Sequence, residues 1–330
     1  MNERHPAETV FLLSTAYWSS RCLHAVADFG IADALGDEPQ PAAALAAKTG
    51  TNPDALHRVL RSLVNHGIFE LQDGRFSHNA ASRLLRADDP ASMRSLARMM
   101  GLNFHWDVFR ELGHSLKTGE SAASTAVPGG LFEHLRTHPE DGRIFNEAMV
   151  GKAFGQIGPV LDAYDFTSFK TIGDIGGGMG HLLTAILNAT PTAEGVLFEL
   201  PEVIDQAKAN PHPRIDYVAG DFFKDPIPPC DLYVMMTVIH DWSDPDAIAI
   251  LQNVRANAPA GAKLLFVEAI VDESARESFP MDLDIEMLVF AAGRERTEEQ
   301  WRSLLERAGF KLTRATPHPG IGGLVEAVVA

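Results

Sequence analysis

Cysteine is nearly absent from this chain of 330 residues, with Cys22 and Cys230 as the whole complement. Two thiols so far apart build no disulfide framework and lack metal-type spacing, so both read as reduced side chains and a structural zinc site is set aside. Long apolar runs are missing too, and with them any segment of membrane-spanning length. The N-terminus, Met1-Asn2-Glu3-Arg4-His5, lacks the basic-then-apolar order of a signal peptide, so the expected location is the cytoplasm. Positive charge is scarce: 28 lysines and arginines face 44 acidic residues, a net charge of −16. The deficit is uneven, since the chain through Arg110 carries 11 basic and 12 acidic residues, leaving 17 and 32 for the remainder. A field of that sign repels nucleic acid and anionic membranes and suits an enzyme acting on neutral or cationic small molecules.

What is present is a large apolar share, 45% of residues, enough to bury a sizeable core and to divide into more than one domain. From Thr171 onward, short β-rich runs alternate with helical stretches, the pattern of a doubly wound, mostly parallel α/β sheet covered on both faces. Strands are expected near Thr171 to Asp174, Gly195 to Phe198, Ile215 to Ala219, Asp231 to Ile239 and Lys263 to Val267. Phe310 to Thr316 and Leu324 to Val329 are expected as an antiparallel pair at the sheet edge.

The first third is helical by pattern. Val10 to Leu35 is apolar almost all round and requires a cover, for which a second copy of the chain is a fair hypothesis. Helices over Ala42 to Thr49 and Asp54 to His66 follow. Ile68 to Leu71 and Arg75 to Ser77, joined by Asp73-Gly74, then make a hairpin. Helix, helix, hairpin is a winged-helix pattern. DNA binding through His57, Arg58 and Arg61 is its obvious use, but without a basic excess a structural or dimerising use is the stronger reading. Leu84 to Gly158 is mainly helical. Its Phe104, Trp106, Phe109, Phe145, Met149 and Phe154 read either as core or as the wall of an apolar pocket.

The strand at Thr171 ends in Asp174 and runs into Gly176-Gly177-Gly178-Met179-Gly180. This G-x-G-x-G lacks the third glycine of the dinucleotide fingerprint, whose place is taken by His181. No Lys or Arg occurs from Asp174 to Glu199, so a polyphosphate ligand fits poorly and a neutral or cationic nucleoside fits better. Glu199, about twenty residues on at the end of the next strand, can accept hydrogen bonds from a ribose diol. Asp221 adds a third carboxylate in register. Each acid alone could equally be a helix cap.

His240-Asp241-Trp242-Ser243-Asp244-Pro245 follows the fourth strand, at the carboxyl edge where open α/β sheets bind ligands. Glu268 ends the neighbouring strand, in a position to orient and polarise the imidazole of a general base. Capping of the next helix by Ser243 or Asp244, with Pro245 in its first turn, explains that part of the segment but not His240. A metal reading of His240, Asp241 and Asp244 matches no compact ligand motif.

These segments together resemble the S-adenosylmethionine-dependent O-methyltransferases of the plant caffeate and bacterial hydroxyneurosporene or polyketide type. The similarity runs nearly end to end, through Ala27 to Leu35, Leu60 to Leu63, Phe145 to Met149, Asp174 to Gly180, Glu199-Leu200-Pro201, Gly220 to Phe223, Ile239 to Asp244 and Gly293 to Thr297. The resemblance implies a Rossmann-like methyltransferase fold. A homodimerising winged-helix domain would occupy residues 1–100, a helical bridge contributing to the acceptor pocket 101–165, and the cofactor-binding catalytic domain 166–330. It further implies a cofactor set of Asp174, Gly176, Gly178, Glu199, Leu200, Asp221 and Phe222, with Asp221 and Phe222 framing the adenine. The implied catalytic set is His240 as base with Asp241, Glu268 and Glu295 around it. The acceptor, a small hydroxylated aromatic molecule, would meet Trp106, Phe145, Met149 and Thr237, and no metal is needed. Met236 and Thr237 replace a lysine and a tryptophan of the plant members, which argues against a plant phenylpropanoid substrate. Alternatives from the same scaffold are N-methylation, decarboxylation or hydroxylation, and from another class a winged-helix regulator with a cofactor-sensing domain.

Overall fold

A computed structural model describes residues 5–276, 278–320 and 322–330. Met1 to Arg4, on which the targeting expectation partly rests, and Ile321, in the last expected turn, lie outside the described residues. The chain forms two compact units, one running to Asp107 and including 132–152, the other made of 108–131 and 153–330.

In the first unit, α1 (Pro6–Asp28) starts at a proline with His5 Nδ1 accepting the Ala7 N–H. The single helix expected to Leu35 is instead broken: Gly30 takes φ 62 and opens a separate α2 (Ile31–Leu35). That conformation is cheap only for glycine and ends the α-helical ladder. The expectation of an uncovered apolar helix is met at its first half, where Val10, Phe11, Leu13, Tyr17 and Trp18 are all more than half exposed. α3 (Ala42–Thr49) and α4 (Pro53–Asn65) follow, the latter capped by Asn52 and burying Leu56, Leu60 and Leu63 at helical spacing. β1 (Glu70–Gln72) and β2 (Arg75–Ser77) close a hairpin whose Asp73 and Gly74 have φ 50 and 74. β1 begins two residues later than expected, because Phe69 adopts φ 66 and buries its ring in the core cluster that includes Phe76. His57, which a DNA-reading helix would present, packs edge-on against Phe76 at 5.4 Å.

In the second unit a seven-stranded sheet has the order β10-β11-β7-β6-β3-β4-β5. Its parallel strands are β3 (Thr171–Ile175), β4 (Glu194–Glu199), β5 (Ile215–Ala219), β6 (Leu232–Met236) and β7 (Lys263–Val267). The chain winds outward from β3 through β4 and β5, then returns to β6 and β7 on the other side. The carboxyl ends of β3 and β6 therefore flank the topological switch point, where a ligand crevice forms. A two-residue parallel pair, β8 (Ile270–Val271) with β9 (Arg296–Thr297), stands apart from the main sheet. β10 (Phe310–His318) and β11 (Gly322–Val329) form the antiparallel edge expected from the sequence. Helices cover both faces, burying Ile250, Leu251 and Trp301 on one and Leu183, Ile186 and Leu187 on the other. Among the described residues no helix is long and apolar enough to cross a membrane.

The expected strand from Asp231 to Ile239 is shorter at both ends. Asp231 sits before it and uses its carboxylate to accept the N–H groups of Lys170 and Thr171. After Met236 the chain turns at Thr237, which has φ 52, into a single 3-10 turn over Ile239–Asp241. That early turn presents His240 at the sheet edge.

Candidate active site

At the end of β3 the glycine loop is shaped by backbone need. Gly176, Gly178 and Gly180 have φ 69, 57 and 74, so all three sit where side chains are strained. Gly177 is held to its identity by space: a β-carbon there would lie 2.3 Å from the carboxyl carbon of Asp174. Glu199, at the end of β4, accepts the N–H of Gly178 at 3.1 Å and that of Leu200 at 2.8 Å, tying the loop to the next strand. Asp174 is only 2% exposed, and neither of its oxygens has a hydrogen-bond partner. Burial, and then the charge of Glu199, push its carboxyl up to about 7. A buried carboxylate in want of a partner, beside glycines that admit close approach, is a place for a cationic ligand group.

Asp221, just past β5, is largely committed within its own turn. Lys224 reaches its Oδ2 at 2.7 Å, the Phe223 N–H donates to Oδ1, and these contacts hold the carboxyl below its ordinary range. The sequence pattern gives this loop no cation, since Met236 stands at the lysine position; Lys224 supplies one from three residues beyond Asp221. Phe222, Phe223 and Trp242 make an aromatic group, with Trp242 edge-on to both phenylalanines at 5.8 and 4.8 Å.

His240 is buried, and its ring lies among three carboxylates. Nδ1 is 2.7 Å from Glu295 Oε1 and 3.7 Å from Glu268 Oε2, and Nε2 is 3.6 Å from Asp241 Oδ1. A carboxylate only accepts, so Nδ1 carries the hydrogen and Nε2 is the basic nitrogen. The sequence placed Glu268 as the orienting partner; the close contact is made by Glu295 instead. Glu268 Oε1 accepts the N–H groups of Val238 and Ile239, at 3.0 and 2.9 Å, and so shapes the turn on which the histidine rides. Burial lowers the affinity of the imidazole for a proton, but Glu268, Glu295 and Asp241 outweigh it and raise the pKa to about 9. Burial also raises Glu268, against the pull of His240.

Among the described residues, His240, Glu268 and Glu295 are the one group whose ligand atoms have metal-type proximity, within 4.8 Å of one another. One oxygen of each carboxylate is engaged, Glu295 Oε1 by the imidazole and Glu268 Oε1 by backbone N–H groups, while both Oε2 atoms are buried without a hydrogen-bond partner. The metal reading of the sequence used Asp244, which is instead ion-paired to Arg296 at 2.9 Å. Ser243 caps the helix Asp244–Asn257 with Pro245 in its first turn, so the capping reading of this segment holds alongside the placement of His240.

Thr237 belongs to this unit and stands at the end of β6. Trp106, Phe145 and Met149 belong to the first unit. There Trp106 donates from Nε1 to the Met100 carbonyl beneath Arg21, and Phe145 and Met149 pack around Met99, Ile144 and Ala148.

Over residues 109–311 the chain matches the O-methyltransferase domain family, and over 11–88 the O-methyltransferase dimerisation domain. It is 39% identical over 329 residues to a phenazine O-methyltransferase, PhzM, of Lysobacter antibioticus, covering 98% of this chain and 96% of that protein. It is 33% identical over 338 residues to an 8-amino-8-demethylriboflavin N,N-dimethyltransferase of Streptomyces davaonensis, covering 98% and 96% of the two chains. Among solved structures it resembles CalO1, a methyltransferase in calicheamicin biosynthesis in its SAH-bound form, with TM-score 0.90 and 29% identity, covering 99% of this chain and 100% of that one.

Proposed function

The chain belongs to the O-methyltransferase family, and from that premise we propose that it transfers the methyl group of S-adenosylmethionine to a hydroxyl oxygen of a small aromatic, secondary-metabolite-like molecule. His240 is the general base. The observation that carries the reading is a buried imidazole with Nδ1 tied to Glu295 and Nε2 basic, on the same sheet edge as a glycine loop that wants a cation.

The donor fits the residues present. Asp174 lacks a partner that an ammonium would supply, and the loop from Gly176 to Gly180 offers close backbone approach. Glu199 is the ribose acceptor, and Leu200, Asp221 and Phe222 border the adenine. When bound, S-adenosylmethionine supplies a methyl group activated on a sulfonium and open to in-line displacement. The protein's own work is then alignment and proton removal. Holding the reactants in line can contribute ~7–11 kcal/mol, more than the ~10²–10⁴ in rate that a placed base adds. The proton leaves the acceptor hydroxyl for Nε2, and the resulting imidazolium is stabilised by Glu295, Glu268 and Asp241.

The assembly proposed is a homodimer, with the exposed face of α1 from Val10 to Trp18 covered by a second copy through residues 1–100. Residues 166–330 are the catalytic part.

A screen of hydroxylated aromatics with S-adenosylmethionine, read as a mass gain of one methyl group, tests the activity. Methylation of arylamines and of no hydroxyl compound would replace the oxygen assignment with nitrogen, the atom named for the Streptomyces davaonensis relative. Glu199→Ala is expected to weaken donor binding roughly 10- to 100-fold, the worth of one or two charge-assisted hydrogen bonds, by titration calorimetry. Unchanged affinity would move the ribose elsewhere.

The raised pKa of His240 sets the pH dependence. Below about 9 the free enzyme holds the ring mainly protonated, and a protonated Nε2 takes no proton from the acceptor. With an acceptor that does not itself titrate in the range, kcat/KM is expected to climb from pH 6 toward a plateau above about 9. A profile flat between pH 6 and 9 would contradict an imidazole so held.

A further inference from the structure

The most buried cation near the site has no part in the mechanism above. Arg296 is 1% exposed, and its guanidinium is occupied mainly by the segment that carries His240. One terminal nitrogen donates to the Ile239 carbonyl at 3.2 Å and the Arg294 carbonyl at 3.4 Å. The other donates to the Trp242 carbonyl at 3.0 Å and to Asp244 Oδ1 at 2.9 Å, and Nε reaches the same Asp244 oxygen at 3.2 Å. The Trp301 ring lies 5.6 Å beneath it. Of the two carbonyls between those held ones, that of His240 itself accepts the Arg294 N–H at 2.8 Å. Gly293 permits this closeness, since a β-carbon there would stand 2.0 Å from the His240 carbonyl oxygen.

A 3-10 turn of three residues has few internal hydrogen bonds and is a weak platform for a base. Here the carbonyls of residues 239, 240 and 242 are all fixed by residues 294 and 296. Glu295 stands just before the two-residue strand that begins at Arg296, so two consecutive side chains serve the same turn. One grips the imidazole at Nδ1 and the other grips the backbone behind it. The planar fork of arginine satisfies several acceptors in fixed directions, as a lysine ammonium does not.

We infer that Arg296 is a positioning residue for the methyl transfer: it clamps the Ile239–Trp242 turn so that His240 stays in register with Glu295 and with the acceptor. This rests on the reading of His240 as the base.

The test uses the full chain with S-adenosylmethionine bound. Arg296→Lys is expected to lower kcat roughly 100-fold, the scale of a displacement of about 1 Å at a reacting group, with donor affinity and acceptor KM within about threefold. In histidine-labelled protein the far-downfield Nδ1–H resonance of His240 is expected to be lost or shifted upfield, and the rise of kcat/KM with pH is expected to move to lower pH. Asp244→Asn keeps an acceptor oxygen but loosens the anchor, and is expected to give a milder change of the same kind, about tenfold in kcat. It carries the test if the lysine variant does not fold. A normal kcat, or an unmoved His240 resonance, in whichever variants fold overturns the clamp. The resonance needs no turnover, so it judges the clamp even if His240→Ala, by leaving catalysis intact, disposes of the base.

Discussion

His240→Ala is expected to lower kcat by ~10²–10⁴-fold, the usual contribution of a placed general base, while S-adenosylmethionine affinity stays within about threefold. The split follows from where the ring is held. His240 is bound to Glu295 and hung on a turn shaped by Glu268, whereas the residues proposed to hold the donor belong to the loop after β3 and the ends of β4 and β5. Removing the imidazole also leaves Glu268 and Glu295, both buried, without their common cation, and such unpaired buried charge destabilises a fold by about 3–5 kcal/mol in general. Thermal melting must therefore accompany the kinetics, and donor titration must show the loop intact. A folded variant that binds donor and turns over normally would take the base role from His240. The activity that remains should reflect alignment alone, and its steep rise toward pH 9 should vanish with the ring.

The parts of this site that were legible from the sequence are those that local signals specify. Strands β5 and β7 are read to the residue because each is a short β-rich run ended by turn residues, and Asp73-Gly74 announces its hairpin. The parallel order of these strands also brought Asp174, Glu199, Asp221 and His240 to one edge before any coordinates. What escaped was set by contacts distant in sequence. Nothing local ends β6 at Met236; the chain turns there because Glu268, 30 residues later, takes the N–H groups of Val238 and Ile239. Adjacency of β6 and β7 pointed to Glu268 as the carboxylate orienting the imidazole, but its Oε1 takes the backbone N–H groups and its Oε2 stays 3.7 Å from Nδ1. Glu295, 55 residues past the histidine and implied by the family resemblance alone, lies just ahead of a two-residue strand with too few residues to show any alternation. Arg296 was masked by its type, since arginine reads as a surface residue unless its partners are known.

The glycine loop offers the second large effect, and it separates two reasons for a glycine. Gly177→Ala is expected to weaken donor binding roughly 10- to 100-fold. Its β-carbon would fall 2.3 Å from the Asp174 carboxyl carbon and within 2.6 Å of both oxygens, so either the loop or the carboxylate must move. Asp174 is short, buried and rooted in β3, which leaves the loop to give way, and overpacking of that kind typically costs ~1–3 kcal/mol before any lost contact is counted. That strain is borne with or without donor; what donor binding itself loses is the Asp174 contact with a ligand cation, about 1.5–3 kcal/mol, or roughly 10- to 100-fold. Gly178→Ala meets nothing within 4 Å and is strained only through its φ of 57, a penalty of roughly 1–2 kcal/mol that the folded loop bears with or without donor. Calorimetry should therefore find Gly178→Ala nearer to the unaltered protein in donor affinity than Gly177→Ala, with its cost visible mainly in melting temperature. The reverse order would mean that donor binding depends on the left-handed backbone at Gly178 more than on the space beside Asp174, and the carboxylate would lose its assignment as the seat of the ligand's positive charge.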